Sequence, residues 1–147
     1  MKERIGVYVC QCGSNISDYV DVDAVKEAAA KEEGVTLAKT TMFACSDSAQ
    51  NEMIQDIRDN KLDALVVASC SPKLHLFTFR SVAERAGLNP FNYVQANIRE
   101  QGSWAHSDRP KEATAKAVQV VRGAISRARL SAALTPSSIP AENAVLV

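Results

Sequence analysis

The chain has 147 residues and a mass of 15.9 kDa, room for one ordinary domain, and its 46% apolar and 23% charged residues exclude a disordered segment. A domain of this size buries roughly two thirds of its unfolded surface and needs no covalent staples. Seventeen basic side chains balance seventeen acidic ones, which argues against a general nucleic-acid binder, and the apolar run at residues 64–68 is far too short to span a bilayer. The first four residues lead straight into a strand-like run with no signal-peptide pattern, so a cytoplasmic protein is expected.

Residues 4–10 are β-branched and aromatic and end in a turn-like cluster from Gln11 to Asn15, which predicts a first strand. Asp21 or Asp23 can cap a first helix whose apolar positions Val22, Val25, Ala28 and Ala29 recur at helical spacing. Gly34 stands where a helix end favours a left-handed residue, and a second strand is expected within residues 35–43, with Cys45 just beyond it. Asp47 and Gln50 have capping-box spacing and open a second helix with Ile54 and Ile57 on its inner face. Residues 64–69 form a continuous apolar run, as in a strand covered on both faces, and Cys70 terminates it. Ser71 and Pro72 start a third helix that closes near Gly87; residues 91–97 read as a fourth strand. After a loop holding Trp104 and His106, Pro110 opens a long helix to about Leu130, with an inner stripe of Ala113, Ala117, Val120, Val121, Ala124 and Ala128. Residues 132–147 read as a linker, with a strand-like start at residues 144–147.

Strand and helix alternate four times, which predicts an α/β domain over residues 1–131. It is a four-stranded parallel sheet, ordered 2-1-3-4, with helices on both faces in a Rossmann-like or flavodoxin-like arrangement. Every β→α junction of such a sheet lies on its carboxyl edge, where open α/β sheets bind ligands. Cys10, Cys45 and Cys70 each follow one of the first three strands, so all three are expected to face one another there. Cys12, in a locally extended turn two residues on, would point the same way.

By spacing alone these four cysteines match neither zinc ribbons nor bacterial ferredoxins. Their meaning comes from the fold: thiolates gathered in one place repel unless a cation or cluster holds them, and the helix starts after Cys45 and Cys70 aim backbone N–H groups at the site. Four thiolates suit zinc or an iron–sulfur cube; zinc requires all four sulfurs about 2.3 Å from one atom, whereas a cube accepts ligands farther apart. Buried inert cysteines or a Cys10–Cys12 redox pair are the plainer readings.

Four motifs in register carry a resemblance: CQCGSN from Cys10, CSD from Cys45, ASCSP from Ala68 with His75 after it, and ANIREQ from Ala96 before Ser103 and Trp104. From about Ile5 onward the chain resembles the N-terminal domain of the A-type subunit of heterodisulfide reductase. The resemblance implies a [4Fe–4S] cluster held by Cys10, Cys12, Cys45 and Cys70, and electron transfer as the role. It also implies FAD in a downstream flavin-binding domain of the same polypeptide, and B-like and C-like partner subunits; a homodimer is left open. Many members of this family carry a further cysteine where this chain has Gly102, which leaves the ligand set open at that position. The alternative function is a non-catalytic docking or scaffold domain whose cysteines are empty, zinc-bound or paired.

Among the remaining residues, His75 falls in a first helical turn, where it hydrogen-bonds near a sulfur site or is merely solvated. Arg99 and Glu100 flank the same edge or form a surface ion pair, Trp104 is a packing or interface anchor, and Arg122, Arg127 and Arg129 read as a solvated face that favours a helix C-terminus.

Overall fold

The computed structural model describes residues 1–141. Strands and helices alternate as β1 (Ile5–Cys10), α1 (Val22–Ala30), β2 (Val35–Thr41), α2 (Asp47–Asp59), β3 (Ala64–Ser69), α3 (Pro72–Ala86), β4 (Tyr93–Asn97) and α4 (Pro110–Leu130). A short 3-10 turn at Pro90–Asn92 leads into β4, and a π-helical turn at Arg99–Ser103 follows it. The strands pair in parallel in the order β2-β1-β3-β4, as expected.

Successive strand residues point to opposite faces, and the two central strands divide their side chains accordingly. Ile5, Val7, Val9 and Val66 pack with Val22 and Val25 of α1 and with the alanine-rich stripe of α4. Tyr8, Cys10, Leu65 and Val67 face the other way, onto Met53 and Ile57 of α2 and Phe79 and Val82 of α3. Both faces of β1 and β3 are therefore covered, which is why each reads as an unbroken apolar run. The α4 stripe holds with one exchange: Val120 lies at its flank, half-buried, and Ile125 takes the inner place.

The starts of α1, α2 and α3 follow capping chemistry, with one correction. Asp21 caps α1, accepting from the Ala24 N–H at 2.9 Å, and Ser71 caps α3 ahead of Pro72. On α2 the cap is Ser46 rather than Asp47: its extended backbone lets the hydroxyl accept from the Ala49 N–H at 3.3 Å, while Gln50 reaches back to donate to the Cys45 carbonyl at 2.8 Å. Of the helix positions read as inner, Ile57 is buried but Ile54 and Ala28 are only partly so. Nor are all the α4 arginines merely solvated, since Arg122 and Arg129 reach Glu32 and Glu33 at 2.8 and 2.7 Å and tie α4 to the turn before β2.

That turn depends on Gly34, whose φ is +86° and where an added Cβ would stand 3.1 Å from the Lys2 carbonyl oxygen. Left-handed backbone costs an L-residue about 1–2 kcal/mol. Gly34→Ala is expected to lower stability by at least about that amount, read as a lower urea midpoint with an unchanged slope.

Residues 131–141 carry no helix or strand and are largely exposed; the Asn89 side chain donates to the Leu134 carbonyl at 2.9 Å and holds the first part of this segment. The strand-like reading of residues 144–147 lies outside the described residues. Among the described residues no helix is long and apolar enough to cross a membrane.

Candidate functional site

Because the sheet is parallel, β1, β2 and β3 all deliver the chain to the same edge, and the cysteines arrive there with it. Cys10 ends β1 and is 4% exposed; Cys70 directly follows β3 and is 6% exposed. Cys45 lies beyond β2, immediately before the Ser46 cap of α2, and is exposed. Together with the half-buried Cys12 these residues line one small cavity of about 60 Å³, walled by Phe43, Ala44, Ser69, His75, Phe79 and Arg99. At about 10–15 Å³ for each water-sized sphere, it has room for roughly four to six of them. The structure thus brings together all four sulfur-bearing residues singled out in the sequence.

Cys12 reaches the cavity by a route different from the extended turn expected. Its φ is +56° and that of Gly13 is +64°, two left-handed residues in succession, and the Cys12 carbonyl accepts from both the backbone and side-chain N–H of Asn15. An extended backbone could not close this turn. Glycine takes such a conformation freely, but a cysteine does so under strain, of the kind that gathers at functional sites. The Phe43 ring stands 3.4 Å from where a Cβ on Gly13 would lie, so this turn fits closely against the loop that carries Cys45.

N–H donors surround three of the sulfurs. The Ala44 amide donates to Cys10 Sγ at 3.3 Å, Arg99 Nη1 donates to Cys12 Sγ at 3.3 Å, and the Gln95 side-chain amide lies 3.9 Å from Cys70 Sγ while donating to the Cys70 carbonyl at 2.8 Å. The first turns of α2 and α3 begin one residue after the Ser46 and Ser71 caps, so two helix N-termini add partial positive charge beside Cys45 and Cys70. Against this, burial pushes the Cys10 thiol up to about 11, and the thiol donates to the Met42 carbonyl. Burial raises Cys70 too, although the Arg99 charge and a Ser69 hydrogen bond oppose it. A metal centre seated here would have to displace those thiol protons, which makes loading easier as pH rises.

Other residues take more definite places than their sequence context indicated. His75 is half-buried on the cavity wall: its non-helical backbone (φ −126°) interrupts α3 after the first turn, and its ring meets the edge of Phe79. Arg99 is paired with Glu100 at 2.9 Å, as a surface ion pair would be, yet its side chain is only 15% exposed and bonds Cys12. Half-exposed Trp104 lies beneath the guanidinium, 4.6 Å from ring centroid to carbon. Gly102 is buried in the π-helical turn and is not among the residues that line the cavity; an added Cβ would meet only Ile98, at 3.8 Å. Sequence reasoning missed Phe79, Ala44 and Gln95: an apolar helix residue, an alanine in a turn and a strand glutamine carry no signal until the fold sets them beside sulfur.

The donor set is all thiol, soft and borderline-soft chemistry that suits zinc or an iron–sulfur cluster. Among the described residues no three of the Cys, His, Asp and Glu side chains stand close enough to hold a single metal ion.

No family model matches the chain. It is 49% identical over 144 residues to the A-type subunit of the ferredoxin:CoB-CoM heterodisulfide reductase of Methanosarcina mazei, covering 98% of this chain and 18% of that protein. It is 48% identical to the A-type subunit of the H(2):CoB-CoM heterodisulfide,ferredoxin reductase of Methanothermobacter thermautotrophicus, over 98% of this chain and 22% of the relative. With an A-type iron-sulfur subunit of the CoB–CoM heterodisulfide reductase of Methanopyrus kandleri the identity is 46%, over the same two shares. The chain spans about a fifth of the length of these curated relatives. Over that span it is a homologue of the amino-terminal region of the A-type subunit of heterodisulfide reductase.

Proposed function

We propose that this domain is an electron-transfer module that holds one [4Fe–4S] cluster through Cys10, Cys12, Cys45 and Cys70. The observation that carries this reading is the single cavity lined by all four cysteines, with N–H donors at three of the sulfurs. Such donors, like helix N-termini, stabilise sulfur as it gains negative charge, which raises a cluster's reduction potential. A bound cluster would supply one-electron chemistry; the chain's own residues provide ligation, exclude water with Phe43 and Phe79, and set the local charge. The Methanopyrus kandleri relative is named an iron-sulfur subunit, which supports an iron–sulfur group without specifying its type or ligands.

The role proposed is electron passage rather than substrate turnover, in a larger assembly in which residues 132–147 lead toward a flavin-binding, FAD-containing domain. B-like and C-like heterodisulfide reductase subunits complete that assembly, and its proposed place is the cytoplasm.

Anaerobic reconstitution of the chain tests the proposal. The expected result is about four iron and four sulfide per chain, with visible absorption that bleaches on chemical reduction. Stoichiometric zinc uptake with no iron uptake under the same conditions would replace this reading with that of a zinc-bound docking domain.

A further inference from the structure

We propose that Arg99 and Glu100 form an opposed pair that sets the reduction potential of the cysteine cavity, with Arg99 raising it and Glu100 lowering it. The inference rests on the reading above, that the cavity holds an iron–sulfur group.

The geometry gives Arg99 a fixed charge at the sulfur. Its guanidinium donates to Cys12 Sγ at 3.3 Å, is clamped by Glu100 at 2.9 Å on Nη2, and lies over the Trp104 ring. Three restraints of different kinds hold one planar group, so little freedom remains for it to swing into solvent. Arg99 is also the charged side chain on the cavity wall, and its Nε–H is buried with no acceptor among the described residues, leaving donor capacity unused. Glu100 is the next residue, partly buried, with its Oε2 buried and without a partner among the described residues. A carboxylate whose second oxygen is not compensated acts on the site as negative charge, from farther away than the arginine that touches the sulfur.

Reduction adds an electron and therefore negative charge. A cation in contact with a ligand sulfur favours the reduced state, and an anion behind it disfavours that state. The π-helical turn carries both residues: just after β4 it sets Arg99 on the cavity wall with Glu100 paired behind it, in keeping with the association of such turns with functional sites.

The test is a spectroscopic redox titration of the reconstituted chain and of Arg99→Gln, Arg99→Lys and Glu100→Gln. Iron content and Trp104 fluorescence, from the protein's one tryptophan, are measured in parallel. Arg99→Gln is expected to shift the reduced-to-oxidised ratio at a fixed ambient potential by about tenfold toward the oxidised form, equivalent to about 59 mV for a one-electron couple. Glu100→Gln is expected to shift it in the opposite direction, and Arg99→Lys to stay near the unsubstituted value because it keeps the charge. Trp104 emission changes in Arg99→Gln even without a cluster, as the stacked cation is removed.

A merely structural pair would not produce shifts of opposite sign. If Arg99→Gln fails to load, the Glu100→Gln and Arg99→Lys arms decide. Potentials that do not move, or that move the same way in Arg99→Gln and Glu100→Gln, overturn this inference alone. A chain that takes up no iron overturns the cluster reading and this inference with it.

Discussion

Cys70→Ser is expected to retain less than about one iron per chain after anaerobic reconstitution, against about four in the unsubstituted protein. Cys70 is buried, only 6% exposed, where the chain leaves β3 for α3: it follows a strand covered on both faces and is held by Gln95 through its carbonyl. The β3 backbone is pinned on both sides by β1 and β4, so no neighbouring residue can move in to replace a lost sulfur. A serine hydroxyl is nearly the same size but a hard, poorly ionised donor at neutral pH, so it fills the space without serving as a soft ligand. Fold stability should change little, because the substitution is close to isosteric and the side chain borders the cavity. Circular dichroism and melting of the cluster-free protein separate loss of ligation from loss of fold. Iron and sulfide at unsubstituted levels in Cys70→Ser would remove Cys70 from the ligand set.

The largest effect on stability is expected from Phe79→Ala, about 3–5 kcal/mol. Phe79 is 1% exposed in the middle of α3; it packs on Tyr93 with ring centroids 5.8 Å apart and contacts His75 at 6.2 Å. It belongs to the core cluster that buries Leu65, Val67 and Met53, and it also walls the cysteine cavity. Truncation therefore removes buried apolar area and merges the void it leaves with the site. Set against a total of roughly 5–15 kcal/mol for a domain, this is a drop of roughly 10 °C or more in Tm. The same opening admits water and oxygen to the sulfurs, so a cluster in Phe79→Ala should bleach faster in air than one in the unsubstituted chain. A melting temperature within about 2 °C of the unsubstituted protein, less than the shift expected for 1 kcal/mol, would show that the α2–α3 layer repacks around the loss.

How much of this was legible in the sequence depends on the range of the interaction involved. The strands, their order and the convergence of Cys10, Cys45 and Cys70 follow from local patterning joined to one topological rule, that parallel strands end on a common edge. The Ser71–Pro72 helix start and the end of that helix at Gly87 are equally local. The shift of the α2 cap from Asp47 to Ser46 shows the limit: both residue types cap well, and the choice between them turns on which backbone is extended, a matter of how the β2–α2 loop seats Cys45.

The left-handed Cys12 carried no sequence signal, because nothing about a cysteine before a glycine distinguishes an extended turn from a strained one. The Arg99 contact with Cys12 spans 87 positions and needs both the β3–β4 pairing and the π-helical turn to exist, so only the neighbouring Glu100 was visible as its partner. The ion pairs of Arg122 and Arg129 were hidden for the same reason: their acceptors lie on a turn that the sheet brings beneath α4.

The placement of the four cysteines also dictates an order of biogenesis. The sulfurs are spread from position 10 to position 70 and meet only once β2, β1 and β3 lie side by side. Parallel pairing of this kind relies on contacts distant along the chain, which form late and slowly compared with helices. A metal centre at this edge therefore cannot nucleate the fold as zinc does in a zinc finger; the chain must complete most of its sheet before it has a receptor to offer. On the cluster reading proposed above, maturation would then consist of delivery to a finished scaffold in which Cys45 is already exposed, and the bound group would act afterwards as a lock on a structure already made.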